Sequence, residues 1–295
     1  MRTVPASPVI VDDPPHPLGE YFERLRDIRT ERYADRDIEA GKRKSRAILT
    51  MVHDEAVFFP IWLRYYSQFF TPEQIYVLDH DTSDGSTDRG GFVRIPVSHD
   101  GVSHRWMEEA IAEYQNRLIE THDTVLVTDV DEIVAPDPAF GTLGDYIDRL
   151  DEPWVNCLGY ELLHLPDREP PIDLSLPILQ QRHYWFANDG YDKPALAMEP
   201  MRWVPGFHTR ADRSFFLDPD LRLIHLHRMD HGVCRERHDL RSQRRWGSED
   251  VDEGWAAHNR IASGEEFDRW FLTDSSSEGV EIVLERIPER WRGLF

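Results

Sequence analysis

VLVTDVDEIV, residues 125–134, is an apolar run that delivers Asp129, Asp131 and Glu132 within four positions. An uninterrupted Val/Leu texture of this length reads as a buried strand. Three carboxylates at its end raise one another's pKa and destabilise the fold unless something positive sits among them. The identity of that positive partner is the route to function.

Working outward, the same pattern recurs. AILTMV (47–52) is strand-like and ends in His53, Asp54 and Glu55. AVFFPIWLRYYSQFF (56–70) has helical length and apolar residues on several faces, which predicts a buried helix opened around Pro60. QIYVLDHD ends in Asp79 and Asp81, and DTSDGSTDRGG after it is a turn-forming loop. FVRIPV (92–97) is a third strand, and HRWMEEAIAEYQNRLIE (104–120) has helical spacing at Trp106, Ala110, Ile111, Tyr114 and Leu118. Strand–helix–strand–strand–helix–strand implies an α/β fold, a Rossmann-like, mostly parallel sheet flanked by helices. Ligands of such sheets bind at the carboxyl ends of the strands, where four polar clusters fall here.

Composition narrows the classes. The 295 residues carry a net charge of −21, which disfavours nucleic acid as a partner. No stretch approaches the length of a membrane span, and no secretory signal follows Arg2. Cys157 and Cys234 make no disulfide framework, so a cytoplasmic location is expected. Residues 1–17, rich in Pro and Asp, read as a disordered leader, and 18–40 as a polar helix. We expect one catalytic domain over 18–295, with a ligand-binding half at 45–140, a smaller second portion at 150–245 and a helical tail at 246–295. Between Lys193 and Arg245 basic residues concentrate, with five histidines among them, against the acidic character of the whole.

Several chemistries use such an acidic strand end. A calcium loop fails because Val134 stands where Gly is needed. A Walker-B strand lacks its Gly-rich partner, since Gly41-Lys42 is followed by Arg43. A haloacid-dehalogenase-like phosphohydrolase, with Asp129 as nucleophile, would show a hydroxyl residue where Ile133 stands; it is the runner-up. The remaining reading is a D-x-D clamp in which Mn²⁺ or Mg²⁺ bridges two carboxylates to a nucleotide diphosphate.

TMVHDEAVFFPIWLRYY, IYVLDHDTSDGSTD and VLVTDVDEIVAPDP, in that order, resemble the GT-A glycosyltransferases of the family-2-like bacterial branch, over residues 45–140. The likeness is weaker over 185–235 (YDKPAL, WVPGFHT, LRLIHLHRMD), and His53-Asp54, Thr82 and Ser86 depart from the usual residues. The resemblance implies transfer of a sugar, a hexose by class, from a nucleotide diphosphate sugar to a hydroxyl of a glycan or other acceptor. It implies His53, Asp54, Glu55, Asp79, Asp81 and Asp129 at the nucleotide, with Asp131 as direct metal ligand beside Asp129. A later histidine, His208 or His225 with His227 on the same strand face, would complete the metal shell. Asp192, or Asp189, would be the base of an inverting reaction. Lys193 and Arg228 would hold the diphosphate. A GT-A domain that binds nucleotide sugar without turnover is the non-enzymatic alternative.

Overall fold

The computed structural model describes residues 8–11, 23–24, 43–213, 215–262, 264–273 and 282–295. Apart from residues 23–24, the polar helix expected over 18–40 lies outside these. The first half runs β1 (Val9–Val11), β2 (Arg46–Val52), α1 (Phe58–Tyr66), β3 (Ile75–His80), β4 (Val93–Val97), α2 (His104–Ile119), β5 (Thr124–Val127) and β6 (Glu132–Pro136). The second half continues with α3 (Leu143–Arg149), β7 (Trp154–Leu162), α4 (Ile178–Gln181), β8 (Tyr184–Ala187), β9 (Pro194–Ala197) and β10 (Leu217–His225). It ends with α5 (His231–Ser242), α6 (Ser248–Asp252), α7 (Glu265–Thr273) and β11 (Val283–Arg286).

One large sheet runs β1-β11-β8-β7-β9-β5-β2-β3-β4, with β10 joining β7 to β6. Its β5-β2-β3-β4 half is parallel, whereas β8 and β9 run antiparallel to β7. Ala47, Ile48, Leu49, Thr50 and Val52 of β2 have no exposure, as expected of a central strand covered on both faces. Ile48 and Val52 pack with Phe58, Phe59 and Trp62 of α1, while Ala47 and Leu49 pack with Ile111 and Leu118 of α2. Alternation along one strand thus seats a helix on each face.

Pro60 does not open α1. It sits in the first turn, where no helical hydrogen bond needs its missing N–H. The single strand expected over 125–134 is two: β5 pairs parallel with β2, the chain turns through Thr128–Asp131, and β6 pairs antiparallel with β10. The leader and tail also differ from expectation. Val9–Val11 lies parallel to β11, so residues of the supposed leader and of the supposed helical tail extend the sheet together. No described helix is long and apolar enough to cross a membrane.

Candidate active site

Helix α1 builds the acidic turn. Trp62 donates its indole N–H to Thr128 Oγ1 at 2.8 Å, and the Tyr65 hydroxyl donates to the Val134 carbonyl at 3.0 Å. The Tyr66 hydroxyl receives the Val134 N–H at 2.8 Å and donates to the Glu132 carbonyl at 3.1 Å. These aromatic side chains, spaced to share one helix face, pin both ends of the turn. The turn opens on a cavity of about 460 Å³ whose walls include Glu55, Asp129, Asp131, Lys193, His225 and Arg237.

The charge among the carboxylates comes from the protein's own cations. Lys193 Nζ lies 2.7 Å from Asp129 and 2.6 Å from Glu132. Burial alone would lower the Lys193 pKa, but these two carboxylates outweigh it and hold the ammonium charged. Arg237 donates to Asp131, and reaches Glu55 at 2.7 Å, while its guanidinium lies 4.2 Å over the Phe58 ring. Asp131 is held ionised well below the usual carboxylate range: burial pushes it up, and Arg237 and His225 overcome that. Lys193 and Arg237 thus stand beside the acids where a divalent cation alone was expected.

A divalent cation nonetheless fits beside Asp131. Asp131 Oδ2 is 3.4 Å from His225 Nε2 and 3.8 Å from His227 Nδ1, and all three residues are buried. One ligand atom from each lies within 4.8 Å of the others. The outer nitrogens are fixed by neighbours. His225 Nδ1 donates to Glu161 Oε2 at 2.8 Å, the carboxylate-backed arrangement found behind metal-ligating imidazoles. His238 Nδ1 faces the Ile261 carbonyl at 3.2 Å, and a carbonyl only accepts, so that nitrogen carries the ring proton. Burial lowers His238 to about 4 and holds His227 well below its ordinary value, so both rings are neutral. His238 Nε2 therefore accepts from His227 Nε2 at 2.8 Å, which leaves the His227 Nδ1 lone pair turned toward Asp131. His225 differs: burial lowers its pKa, but Glu161 and Asp131 raise it to about 10, so the proton on Nε2 holds the place a metal would take. Cys234, buried behind, forms a second trio with His227 and His238, but the His–His hydrogen bond already uses the facing nitrogens.

The other expected residues divide. His53 and Asp81 line the cavity, and Asp81 accepts from the Ser98 hydroxyl at 2.7 Å. Asp54 and Asp79 do not face it. Asp54 accepts the Ser83 and Asp84 N–H groups at 2.7 and 3.1 Å, and Asp79 accepts the Thr82 N–H at 3.0 Å and bonds Arg94. Both carboxylates organise the DTSDGSTD loop. Asp54 and Asp81 take left-handed backbone, φ 53° and 52°, which short polar side chains tolerate best at such strand ends. His208 sits at the exposed rim against the Gly190 carbonyl, outside the trio. Arg228 is removed from the diphosphate role: its guanidinium is buried 4.2 Å over the Trp270 ring and donates to the Phe271 carbonyl at 3.2 Å.

Neither expected base lines the cavity. Asp189 is exposed, and the Asp192 carboxylate turns inward to accept the Gly159 N–H at 2.7 Å. Burial pushes Asp192 up to about 7. Gly159 has to be glycine there, because a Cβ would lie 2.4 Å from the Asn188 carbonyl oxygen. Sequence reading missed Glu161, Arg237, His238 and Arg241. Arg237, Arg241 and Arg244 at i, i+4 and i+7 carried the usable signal, one basic helix face.

No family profile and no curated protein matches the chain. Among solved structures it is similar to the mannosyltransferase PcManGT from Pyrobaculum calidifontis in complex with GDP-Man and Mn²⁺. The identity is 14%, the TM-score 0.35, and the match covers 86% of this chain and 76% of that one.

Proposed function

We propose that this chain is a metal-dependent glycosyltransferase that moves a hexose from a nucleotide diphosphate sugar to an acceptor hydroxyl. The observation that carries the reading is the Asp131–His225–His227 trio, with both outer imidazole nitrogens already engaged, at the carboxyl edge of a parallel half-sheet. Asp131, His225 and His227 would hold the ion, and a bound divalent ion would offset the charge that grows on a diphosphate leaving group. His53 and Asp81, on the adjoining strand ends, would border the nucleoside. Lys193 lies 2.7 Å from Asp129 and would keep its carboxylate in place toward the ribose. Glu161 and His238 orient the two imidazoles and touch no substrate.

Titration of the full chain with Mn²⁺, read by electron paramagnetic resonance, tests the site directly. One ion is expected to bind, and Asp131→Asn is expected to abolish the signal change. Glu161→Gln should weaken binding by roughly 10–100-fold, the usual cost of losing a partner behind a ligand. Nucleoside diphosphate release from a panel of donor sugars should then need the metal and cease in EDTA. Phosphate release from simple aryl phosphates, trapping Asp129 covalently, would overturn the reading in favour of a phosphohydrolase. Donor binding without turnover across acceptors would leave only a binding domain.

A further inference from the structure

Helix α5 and the turn that follows it bring a row of arginines to the cavity. Arg237 and Arg241 lie on α5 and Arg244 two residues beyond its end, and all three line the cavity. Glu55 serves two of them: Arg237 reaches it at 2.7 Å and Arg241 at 3.1 Å. Arg244, half-buried, donates to the His53 carbonyl at 3.2 Å and has no carboxylate within ion-pair distance among the described residues. Burial and the neighbouring Arg241 lower its pKa to about 10, yet it stays charged at neutral pH. Glu55 and Asp54 raise its pKa only from beyond ion-pair distance, and a half-buried guanidinium with no carboxylate in contact suits an added anion.

The position is built. Arg241 lies in the last turn of α5, the end that favours cations, and Arg244 just beyond it. Beyond it the chain is stitched to the loop before α2: Val102 N–H donates to the Arg245 carbonyl at 2.9 Å, and Gly247 N–H to the Val102 carbonyl at 2.8 Å. Gly101 there has φ 83°, and a Cβ on it would lie 2.6 Å from the Arg245 carbonyl oxygen. The Asp54 carboxylate accepts the Ser83 and Asp84 N–H groups and makes no ion pair with Arg244.

We infer that Arg241 and Arg244 form a phosphoryl-oxygen subsite of the cavity, separate from the Asp131 trio, that grips the diphosphate of the donor without requiring a metal. The donor assignment rests on the reading above; the anion subsite itself does not. Guanidinium groups suit phosphate because their forked N–H donors match two oxygens at once.

Calorimetry of the full chain with inorganic pyrophosphate in EDTA is the test. Wild type is expected to bind it, and Arg244→Ala to weaken it by about tenfold or more, the size of a lost charged hydrogen bond. Arg244→Lys should restore part of the affinity. A nucleoside diphosphate should displace pyrophosphate one for one. Pyrophosphate binding that appears only when Mn²⁺ is added, or that is unchanged in Arg244→Ala, would overturn the subsite. Simultaneous binding of pyrophosphate and nucleoside diphosphate would overturn its assignment to the donor. Failure of the metal reading is distinct: Mn²⁺ would not bind while pyrophosphate still did.

Discussion

Asp192 shows how one residue type can carry opposite meanings. A carboxyl with its pKa near neutrality, some sixty residues past a D-x-D, is what a general base would look like in sequence and in titration. Here the shift has a structural cause, burial outside the cavity, which outweighs the lowering by the Gly159 N–H. The sign of its stability effect follows. The folded-state pKa, about 7, lies above the ordinary value, so the folded chain binds more protons than the unfolded one between the two. Stability from this group is therefore present at low pH and is lost as pH rises toward 7. Asn keeps an oxygen for the Gly159 N–H and cannot ionise. Asp192→Asn is expected to melt above wild type at pH 8, to match it near pH 4, and to retain sugar transfer. A melting difference that ignores pH, or loss of turnover in a well-folded variant, would restore the base assignment.

Among the elements, the segment after α5 is hydrogen-bonded to the loop before α2, and Gly101 sits at their closest approach. Gly101→Ala would force both a left-handed alanine and a contact of 2.6 Å with the Arg245 carbonyl. The cost should be about 1–3 kcal/mol by chemical denaturation. Because Arg244 hangs from the displaced segment, pyrophosphate affinity should fall as in Arg244→Ala. A variant that denatures and binds like wild type would separate the loop from the subsite. At this scale the sequence was legible where burial is periodic. AILTMV, the 104–120 helix and the polar strand ends all stand where their patterns put them, since a doubly covered strand and a one-sided helix leave distinct signatures. The acidic turn was less legible. Nothing in VLVTDVDEIV marks where β5 ends and β6 begins, because both strands are buried and equally apolar. The counter-charges were hidden for another reason: Arg237 meets Glu55 across 182 positions and Asp131 across 106, pairings that only the packed chain defines. Arg228 and Arg237 look alike in sequence, yet one stacks on Trp270 and the other reaches the acids.

Over the whole molecule, the chain's end belongs to the same core as its site. Ile287, Trp291 and Phe295 are buried in the cluster that also holds Phe58, Val130 and Ile133 around the acidic turn. Trp291 stacks edge-on to Trp185 at 5.5 Å and Phe295 to Tyr65 at 5.8 Å, while Arg290 holds Asp137. Tyr65 in turn donates to Val134, so the last residue packs against the helix that pins the turn. A tail that merely docked as a flap could be trimmed without harm to the core; this one could not. Trp291→Ala is expected to cost about 3–5 kcal/mol in urea unfolding, the range for emptying a large aromatic site. The cavity lining itself keeps every residue in that variant, so Mn²⁺ and pyrophosphate affinities per folded molecule should stay near wild type under strongly native conditions. Unfolding like wild type would mean that the tail is peripheral to the core. A stable fold with both affinities lost would mean instead that the C-terminus shapes the site and not only the stability beneath it.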